Sequence, residues 1–203
     1  AGGWGAEALT GGAGADPLAG GWGDDVIESG AGDDVIDAGW GDDLIYAFSW
    51  GGEPDPAQGG DRVNPDEPVS DDDVITLGGG ADTVVFRWLL DATDAVLAAN
   101  ADDDGDIDYS GGGVAGASAN THDHWVESMG TKTVTDYDPA EDSLCFEGHT
   151  LELTSIAHDD VDGDGALDTV ARFNSQQGAA GAHDEDDLGS VILLGVVVED
   201  IAV

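Results

Sequence analysis

A nine-residue period runs through residues 2–46 and limits what this chain can fold into. These residues divide without gaps into five blocks, which read GGWGAEALT, GGAGADPLA, GGWGDDVIE, SGAGDDVID and AGWGDDLIY. Each block has Gly at its second and fourth positions, a carboxylate at its sixth and Leu or Ile at its eighth. Because one such unit is too short to bury an apolar core alone, the pattern predicts stacked copies.

Each position of the block has a physical reason. Paired glycines allow the positive φ angles and the close backbone approach of a tight turn. The three residues after the carboxylate, such as Val26–Ile27–Glu28, favour a short strand that points one apolar side chain inward. Stacking then aligns the inward Leu and Ile side chains into a continuous narrow core.

The charge of the chain excludes several kinds of partner. It has 45 Asp and Glu against 4 Lys and Arg, a formal net charge of -41. Nucleic acid and anionic membrane surfaces need a basic face, so neither is expected as a partner. Two interpretations are left: a disordered acidic polymer, or a fold built around cations. A hydrophobic content of 40% with six Trp favours the second, and no run is apolar and long enough to span a membrane.

The blocks resemble GGxGxDxUx, the signature of the repeats-in-toxin (RTX) family of calcium-binding proteins. The resemblance implies an all-β fold with a parallel β-roll, in which two nonapeptides make one coil. Calcium ions would lie between turns stacked on one edge, bound by sixth-position Asp and by backbone carbonyls. The same-edge pairs would be Asp16 with Asp34, Asp25 with Asp43, and Glu7 with Asp25. Glu7 and Pro17 depart from the family pattern.

Trp recurs in every second block, at Trp4, Trp22 and Trp40, which independently supports a coil of two blocks. Adjacent coils lie about 4.8 Å apart, so neighbouring indoles are expected to stack along one edge. Two interpretations follow. The ladder shields the glycine turns from water, or it forms an exposed strip for a protein or glycan partner.

The repeats are interrupted and then resume. A Gly- and Pro-rich stretch follows Phe48, and the weaker repeats beyond it place Asp73 and Asp82 at sixth positions. The segment GGGADTVVF resembles the last coil before the C-terminal region of RTX proteins such as the serralysin-type proteases. We therefore expect a β-roll over 1–86 with a loop insertion at about 47–69, and a β-rich C-terminal region over 87–203.

Two segments of the C-terminal region match the opening of an EF-hand loop, with oxygen ligands at positions 1, 3, 5 and 9 and Gly at position 6. Both lack the Glu of position 12, where Gly111 and Ala171 stand. Each is interpreted as a calcium loop or as a solvated Asp–Gly turn. The candidate ligands are Asn100, Asp102, Asp104 and Asp108 in the first loop, and Asp160, Asp162, Asp164 and Asp168 in the second.

The C-terminal order TVTDYDPAEDSL, DVDGDGALDTVARF, SVILLGVVVEDI is similar to type I-secreted RTX proteins. That resemblance implies an uncleaved C-terminal secretion signal and an extracellular location. The opening AGGWGAEALT lacks the basic and apolar parts of a cleavable signal peptide and begins within the pattern, so a fragment or processed product is expected. Cys145, the single cysteine, lies in an apolar run and is expected to be buried and inert.

No catalytic motif is found, so the chain is not expected to be an enzyme: it has no HExxH helix, GxSxG elbow or phosphate loop. His122 and His124 would face one side of a strand and could chelate a transition metal, which leaves a metalloenzyme as the weakest hypothesis.

The favoured hypothesis is an extracellular calcium-binding module that folds on calcium binding after type I secretion. The alternative is a structural or interaction subunit of an extracellular or surface assembly, which would use the Trp edge or an open roll end. The sequence predicts several calcium ions, with candidate ligands in the roll at Asp16, Asp25, Asp34, Asp43, Asp73 and Asp82.

Overall fold

The computed structural model describes residues 1–48, 72–87, 130–147, 151–175 and 189–202. Most of the expected loop insertion at about 47–69 lies outside these ranges. So do the first calcium loop (Asn100, Asp102, Asp104, Asp108) and the pair His122 and His124.

Within those ranges every regular element is a strand, so the expected all-β class is confirmed. No helix in the described part of the chain could cross a membrane. The strands are β1 (Ala8–Ala13), β2 (Pro17–Trp22), β3 (Val26–Ala31), β4 (Val35–Trp40), β5 (Leu44–Phe48), β6 (Asp73–Gly79), β7 (Thr83–Arg87), β8 (Thr131–Val134), β9 (Ser143–Glu147), β10 (Leu151–Asp159), β11 (Asp168–Ser175) and β12 (Ser190–Leu193).

The repeats wind into two parallel sheets, which confirms the β-roll. One sheet has the order β1-β3-β5-β7-β9, and the other contains the run β8-β6-β4-β2. Ile27 pairs with Ile45, two blocks further along the chain, and Leu18 pairs with Ile36 in the same way. Since successive strands alternate between the sheets, two nonapeptides make one coil.

Both sheets continue beyond residue 86 without losing register. Ile36 pairs with Ile75, and Ile75 pairs with Val134 in β8. Residues that are hydrogen-bonded between neighbouring coils lie 18 residues apart in the sequence early in the roll, then 39, then 59. The stack therefore keeps its inward positions even where the chain between strands is much longer.

An antiparallel hairpin ends the second sheet. β12 pairs with β8 in the parallel sense, and β11 and β10 then add to it in antiparallel order. Phe173 of β11 contacts Phe146 of β9 with ring centroids 5.1 Å apart, so the hairpin also packs against the last strand of the first sheet. Apolar side chains of the hairpin thus pack over the core at this end of the roll.

The core is the column of eighth-position side chains. Ile27, Ile36 and Ile45 are fully buried, Leu18 is nearly so, and Leu9 in the first coil is partly buried. The same cluster continues through Phe86, Phe146 and Phe173 into the hairpin. One continuous apolar column thus joins the repeats to the C-terminal strands.

The expectation of a buried thiol is wrong: Cys145 is exposed. β9 alternates exposed and partly buried residues, with Leu144 and Phe146 facing the core. Because side chains on a strand alternate between its faces, the residue between two inward positions must point outward. Leu144–Cys145–Phe146 is therefore a half-buried strand and not a fully buried run.

At Gly21, Gly30 and Gly39 the second-position glycine is required by both backbone angle and space. Gly39 has a φ of 111°, and a Cβ added to it would collide with the carbonyl oxygen of Gly21 one coil earlier. The turns of neighbouring coils can approach this closely only without side chains.

We expect Ile36→Ala to destabilise the protein by about 2–5 kcal/mol, because it removes a fully buried side chain from the column. Val35→Ala is the matched control on the same strand, where the side chain is 56% exposed, and its expected cost is within about 0.5 kcal/mol. Denaturant unfolding with calcium present measures both. Equal losses would contradict the assignment of inward and outward positions.

Candidate functional site

The sixth-position carboxylates form two columns, one along each edge of the roll. The first column contains Asp16, Asp34 and Asp73, and in the next coil Lys132 is paired with Asp73. The second column consists of Glu7, Asp25, Asp43, Asp82 and Asp142. The structure thus brings together the same-edge pairs proposed from the resemblance and adds Asp73 and Asp82 to them.

One oxygen of these stacked carboxylates accepts a backbone N–H from the neighbouring coil. Oδ1 of Asp34 accepts the backbone N–H of Asp16 at 2.9 Å, and Oδ1 of Asp43 accepts that of Asp25 at 2.7 Å. The same bond recurs from Asp34 to Asp73 at 2.9 Å and from Asp43 to Asp82 at 2.8 Å. These charge-assisted bonds fix the stacking of the turns.

The other oxygen has no protein partner at three of these positions. Oδ2 of Asp25, Asp34 and Asp43 is buried and accepts no hydrogen bond, and these residues are only 1–2% exposed. A buried carboxylate oxygen without a partner is costly unless a proton or a cation neutralises it.

The surroundings of these oxygens suit a hard cation. A Cβ added to Gly20 would collide both with Asp25 Oδ2 and with the carbonyl oxygen of Ala38. The glycine therefore leaves a small space lined by a carboxylate oxygen and a backbone carbonyl. All-oxygen ligand sets of this kind are typical of calcium sites, so the residues present fit the ion that the resemblance implies.

Burial raises the pKa values of several carboxyls in the columns. For Asp34 and Asp82 desolvation is the largest cause, and it raises each pKa to about 6. Burial also raises the pKa values of Asp43 and Asp73. Neighbouring carboxylates add to the effect, since like charges in a column oppose ionisation.

The second column ends at Asp142, whose two carboxylate oxygens both accept hydrogen bonds from backbone N–H groups. Asp142 Oδ1 accepts the Asp82 N–H at 3.1 Å, and its Oδ2 accepts the Asp138 N–H at 2.8 Å. Unlike Asp25 and Asp43, this residue leaves neither oxygen without a donor. The column is closed here by a local turn.

A further set of aspartates, at the fifth position of the repeat, was not singled out by sequence reasoning. Asp24 Oδ1 accepts the N–H of Asp42 at 3.1 Å, and Asp33 Oδ1 accepts that of Asp72 at 3.0 Å. These bonds run in the opposite sense to those of the sixth-position columns and lie at the surface. The recurring Asp–Asp pair of the repeat is the signal that could have revealed them.

The second predicted calcium loop connects β10 to β11. Each of Asp160, Asp162 and Asp168 offers a carboxylate oxygen within 4.8 Å of the others. Asp164, the fourth predicted ligand, is not part of this group; its Oδ1 accepts the N–H of Ala166 at 2.7 Å. The structure therefore assembles three of the four predicted side chains, on a β-hairpin.

Asp168 anchors this loop to the C-terminal turn. Its two oxygens accept the backbone N–H groups of Gly195 and Val161, both at 2.7 Å, and the residue is buried. Hydrogen bonds from these two N–H groups lower the pKa of Asp168. A carboxylate held in its charged form is suited to a cation ligand.

The indoles form the expected ladder. Trp4 stacks on Trp22 with ring centroids 5.5 Å apart, and Trp22 stacks on Trp40 at 5.6 Å. Gly79 lies against the far side of Trp40, whereas Trp4 is 85% exposed. The faces within the stack are covered by one another, so the ladder presents its ring edges and the outer face of Trp4 to solvent.

Comparison with protein-family models supports this assignment of the repeats. The model for the RTX calcium-binding nonapeptide repeat matches in four copies, over residues 1–36, 19–47 and 70–86. A solution structure of a subunit of the mannuronan C5-epimerase from Azotobacter vinelandii is 18% identical, covering 94% of this chain and 71% of that one, with a TM-score of 0.26. The search of curated proteins found no relative.

We expect acid to stabilise the calcium-free fold and to weaken calcium binding. Asp34 and Asp82 have folded pKa values of about 6, against about 3.9 for Asp in an unfolded chain. The folded state therefore binds more protons, and the stability present below pH 4 is lost as pH rises through about 6. At pH 5 a group with a pKa of about 6 is mostly protonated, so calcium affinity at that position should fall about tenfold.

Circular dichroism of chelated and calcium-loaded protein at pH 5 and pH 7.5 checks this prediction. Asp34→Asn should lose part of both pH dependences, because the amide does not titrate in this range. A calcium-free folded fraction that decreases on acidification would contradict the prediction.

Proposed function

We propose that this chain, which carries RTX calcium-binding nonapeptide repeats wound into a parallel β-roll, is an extracellular module that folds on calcium binding after type I secretion. In this proposal the repeats of residues 1–86 form the calcium-dependent part of the roll, and β8 and β9 extend its two sheets. Residues 87–203 contain the calcium loops and the secretion signal. No catalytic role is assigned to the chain.

The observation that carries the proposal is the set of buried Oδ2 atoms of Asp25, Asp34 and Asp43, which accept no hydrogen bond. At neutral pH each would place a largely uncompensated negative charge in the edge of the roll. A calcium ion between coils would neutralise these carboxylates and use the free oxygens as ligands. The same-edge neighbours of each coil would then be attracted to one cation instead of repelling one another.

Neutralisation of this kind couples binding to folding. The unfolded chain cannot bring the oxygens of successive coils together, so calcium binds the folded state far better than the unfolded one. The free energy of binding then becomes free energy of folding. Extracellular calcium modules bind with dissociation constants of about 10⁻⁴–10⁻³ M, which suits a chain that is unfolded in low calcium and folds outside the cell.

The hairpin loop supports a second kind of site. Asp160, Asp162 and Asp168 already converge, and the Asp168 carboxylate is held by two backbone N–H groups. Calcium bound here would tie the β10–β11 connection to the turn at Gly195. The first loop, at residues 100–108, is proposed as a calcium loop on the basis of its sequence alone.

The decisive variant is Asp25→Asn, with Asp37→Asn as its matched control. The Asn side-chain oxygen can still accept the N–H of Glu7, now 2.7 Å from Oδ1, but the charged ligand oxygen is lost. Asp37 is exposed on β4 and lies outside the columns. We expect Asp25→Asn to raise the calcium midpoint of folding about tenfold, because ligand charge sets affinity. Asp37→Asn should leave the midpoint nearly unchanged.

Far-UV circular dichroism during calcium titration of chelated protein measures the midpoint, with magnesium as the ion control. Magnesium demands octahedral geometry and keeps its waters, so it should not reproduce the transition. A wild-type spectrum that is already folded in chelator would overturn calcium-driven folding.

The Trp ladder favours a second candidate function, a structural or interaction subunit of an extracellular assembly. Trp4, Trp22 and Trp40 are 85%, 50% and 61% exposed, a regular aromatic strip on an otherwise acidic molecule. A protein or glycan partner would contact the ring edges or the outer face of Trp4.

If the ladder is a contact surface between copies of this chain, the calcium-loaded protein should associate as its concentration is raised. The double variant Trp22→Ala/Trp40→Ala should remain monomeric over the same range in sedimentation velocity runs. A wild-type protein that stays monomeric throughout would exclude the ladder as a contact between copies of this chain.

A further inference from the structure

The first column of carboxylates contains one position that differs from the repeat. Lys132 is paired with Asp73 in the register of β6 and β8, so it stands where the next sixth-position carboxylate would be. It is the single lysine in a chain with 45 acidic residues, and it is fully buried. Lysine is almost never fully buried without an ionic partner, so its position needs a specific explanation.

The Lys132 ammonium group contacts the second carboxylate oxygen, Oδ2, which lacks a hydrogen-bond partner at other positions of the columns. Lys132 Nζ lies 2.9 Å from Oδ2 of Asp73, and both side chains are fully buried. Oδ1 of Asp73 accepts the Asp34 N–H at 2.9 Å. The corresponding Oδ2 atoms of Asp25, Asp34 and Asp43 have no such donor.

The positive charge acts on two successive carboxylates. Burial raises the pKa values of both Asp34 and Asp73, and the charge of Lys132 opposes that rise at both residues. A cation that interacts with two neighbours of one column has the electrostatic role expected of an ion between coils. Unlike a bound ion, this charge is attached to the chain.

We propose that the Lys132 ammonium is a resident cation that takes the place of calcium at Asp73 in the first column. The inference rests on the proposed function, because it assumes that calcium occupies the other positions of the columns. It assigns one coil, next to the C-terminal hairpin, an ionic contact that does not depend on calcium concentration. The number of ions bound by the roll is then one fewer than its stacked carboxylates suggest.

Lys132→Asp tests the proposal by restoring the carboxylate of the repeat. We expect this variant to bind one more calcium ion per chain than the wild type, and to need more calcium to fold. Arg172→Asp is the matched control, since it makes the same change of charge at an exposed position. It should bind the wild-type number of ions. Native mass spectrometry across a calcium titration counts them.

The outcomes separate the inference from the function on which it rests. A wild-type protein that binds no calcium would overturn both. A wild-type protein that binds calcium, together with a Lys132→Asp variant that binds the same number or stays unfolded at saturating calcium, would overturn the resident cation alone.

Amine acylation of the wild-type protein provides a measurement that does not depend on the variant folding. At saturating calcium, N-hydroxysuccinimide acetate should leave Lys132 unmodified. Denatured protein should be acetylated at Lys132 under the same conditions. Modification of Lys132 in the folded, calcium-saturated protein would show that calcium displaces the ammonium from Asp73, and would overturn the proposal.

Discussion

Repulsion between stacked carboxylates is the constraint on which the rest of this structure depends. Each coil brings a sixth-position carboxylate to within hydrogen-bonding distance of the backbone of the coil before it, as at Asp25 and Asp43. The same arrangement that fixes the stacking also buries like charges in a column. The glycine turns, the apolar column and the hairpin can persist together only if those charges are neutralised.

The roll reaches neutrality differently along its length. In the repeats, Asp25, Asp34 and Asp43 keep one buried oxygen without a protein partner, which suits an external cation. Toward the hairpin, Asp73 is paired with Lys132 and Asp142 is satisfied by backbone N–H groups. Where the repeats meet the C-terminal strands, a lysine ammonium group and backbone N–H groups therefore stabilise the carboxylates in place of a bound ion.

The repeat made much of the fold predictable, because its period constrains every coil in the same way. The inward Ile27 and Ile36 followed from the spacing of the repeat. The two-block coil was implied by the family resemblance and supported by the Trp period, and the stacked indoles followed from that coil. The buried position of Lys132 could not be predicted, because the sequence TKTV of β8 does not show which coil that strand joins. Asp24 and Asp33 were overlooked because sequence does not show which backbone N–H a carboxylate will meet. Cys145 was misassigned because an apolar run of three can be one half-buried strand.

The constant register of the sheets allows the connections between coils to change in length. Ile36, Ile75 and Val134 remain aligned although the chain that joins one coil to the next becomes much longer toward the hairpin. Doubling the length of a connection costs only about 0.6 kcal/mol of closure entropy. The boundaries after β5 and β7 are thus points where sequence can be gained or lost in evolution while the scaffold on either side keeps its alignment.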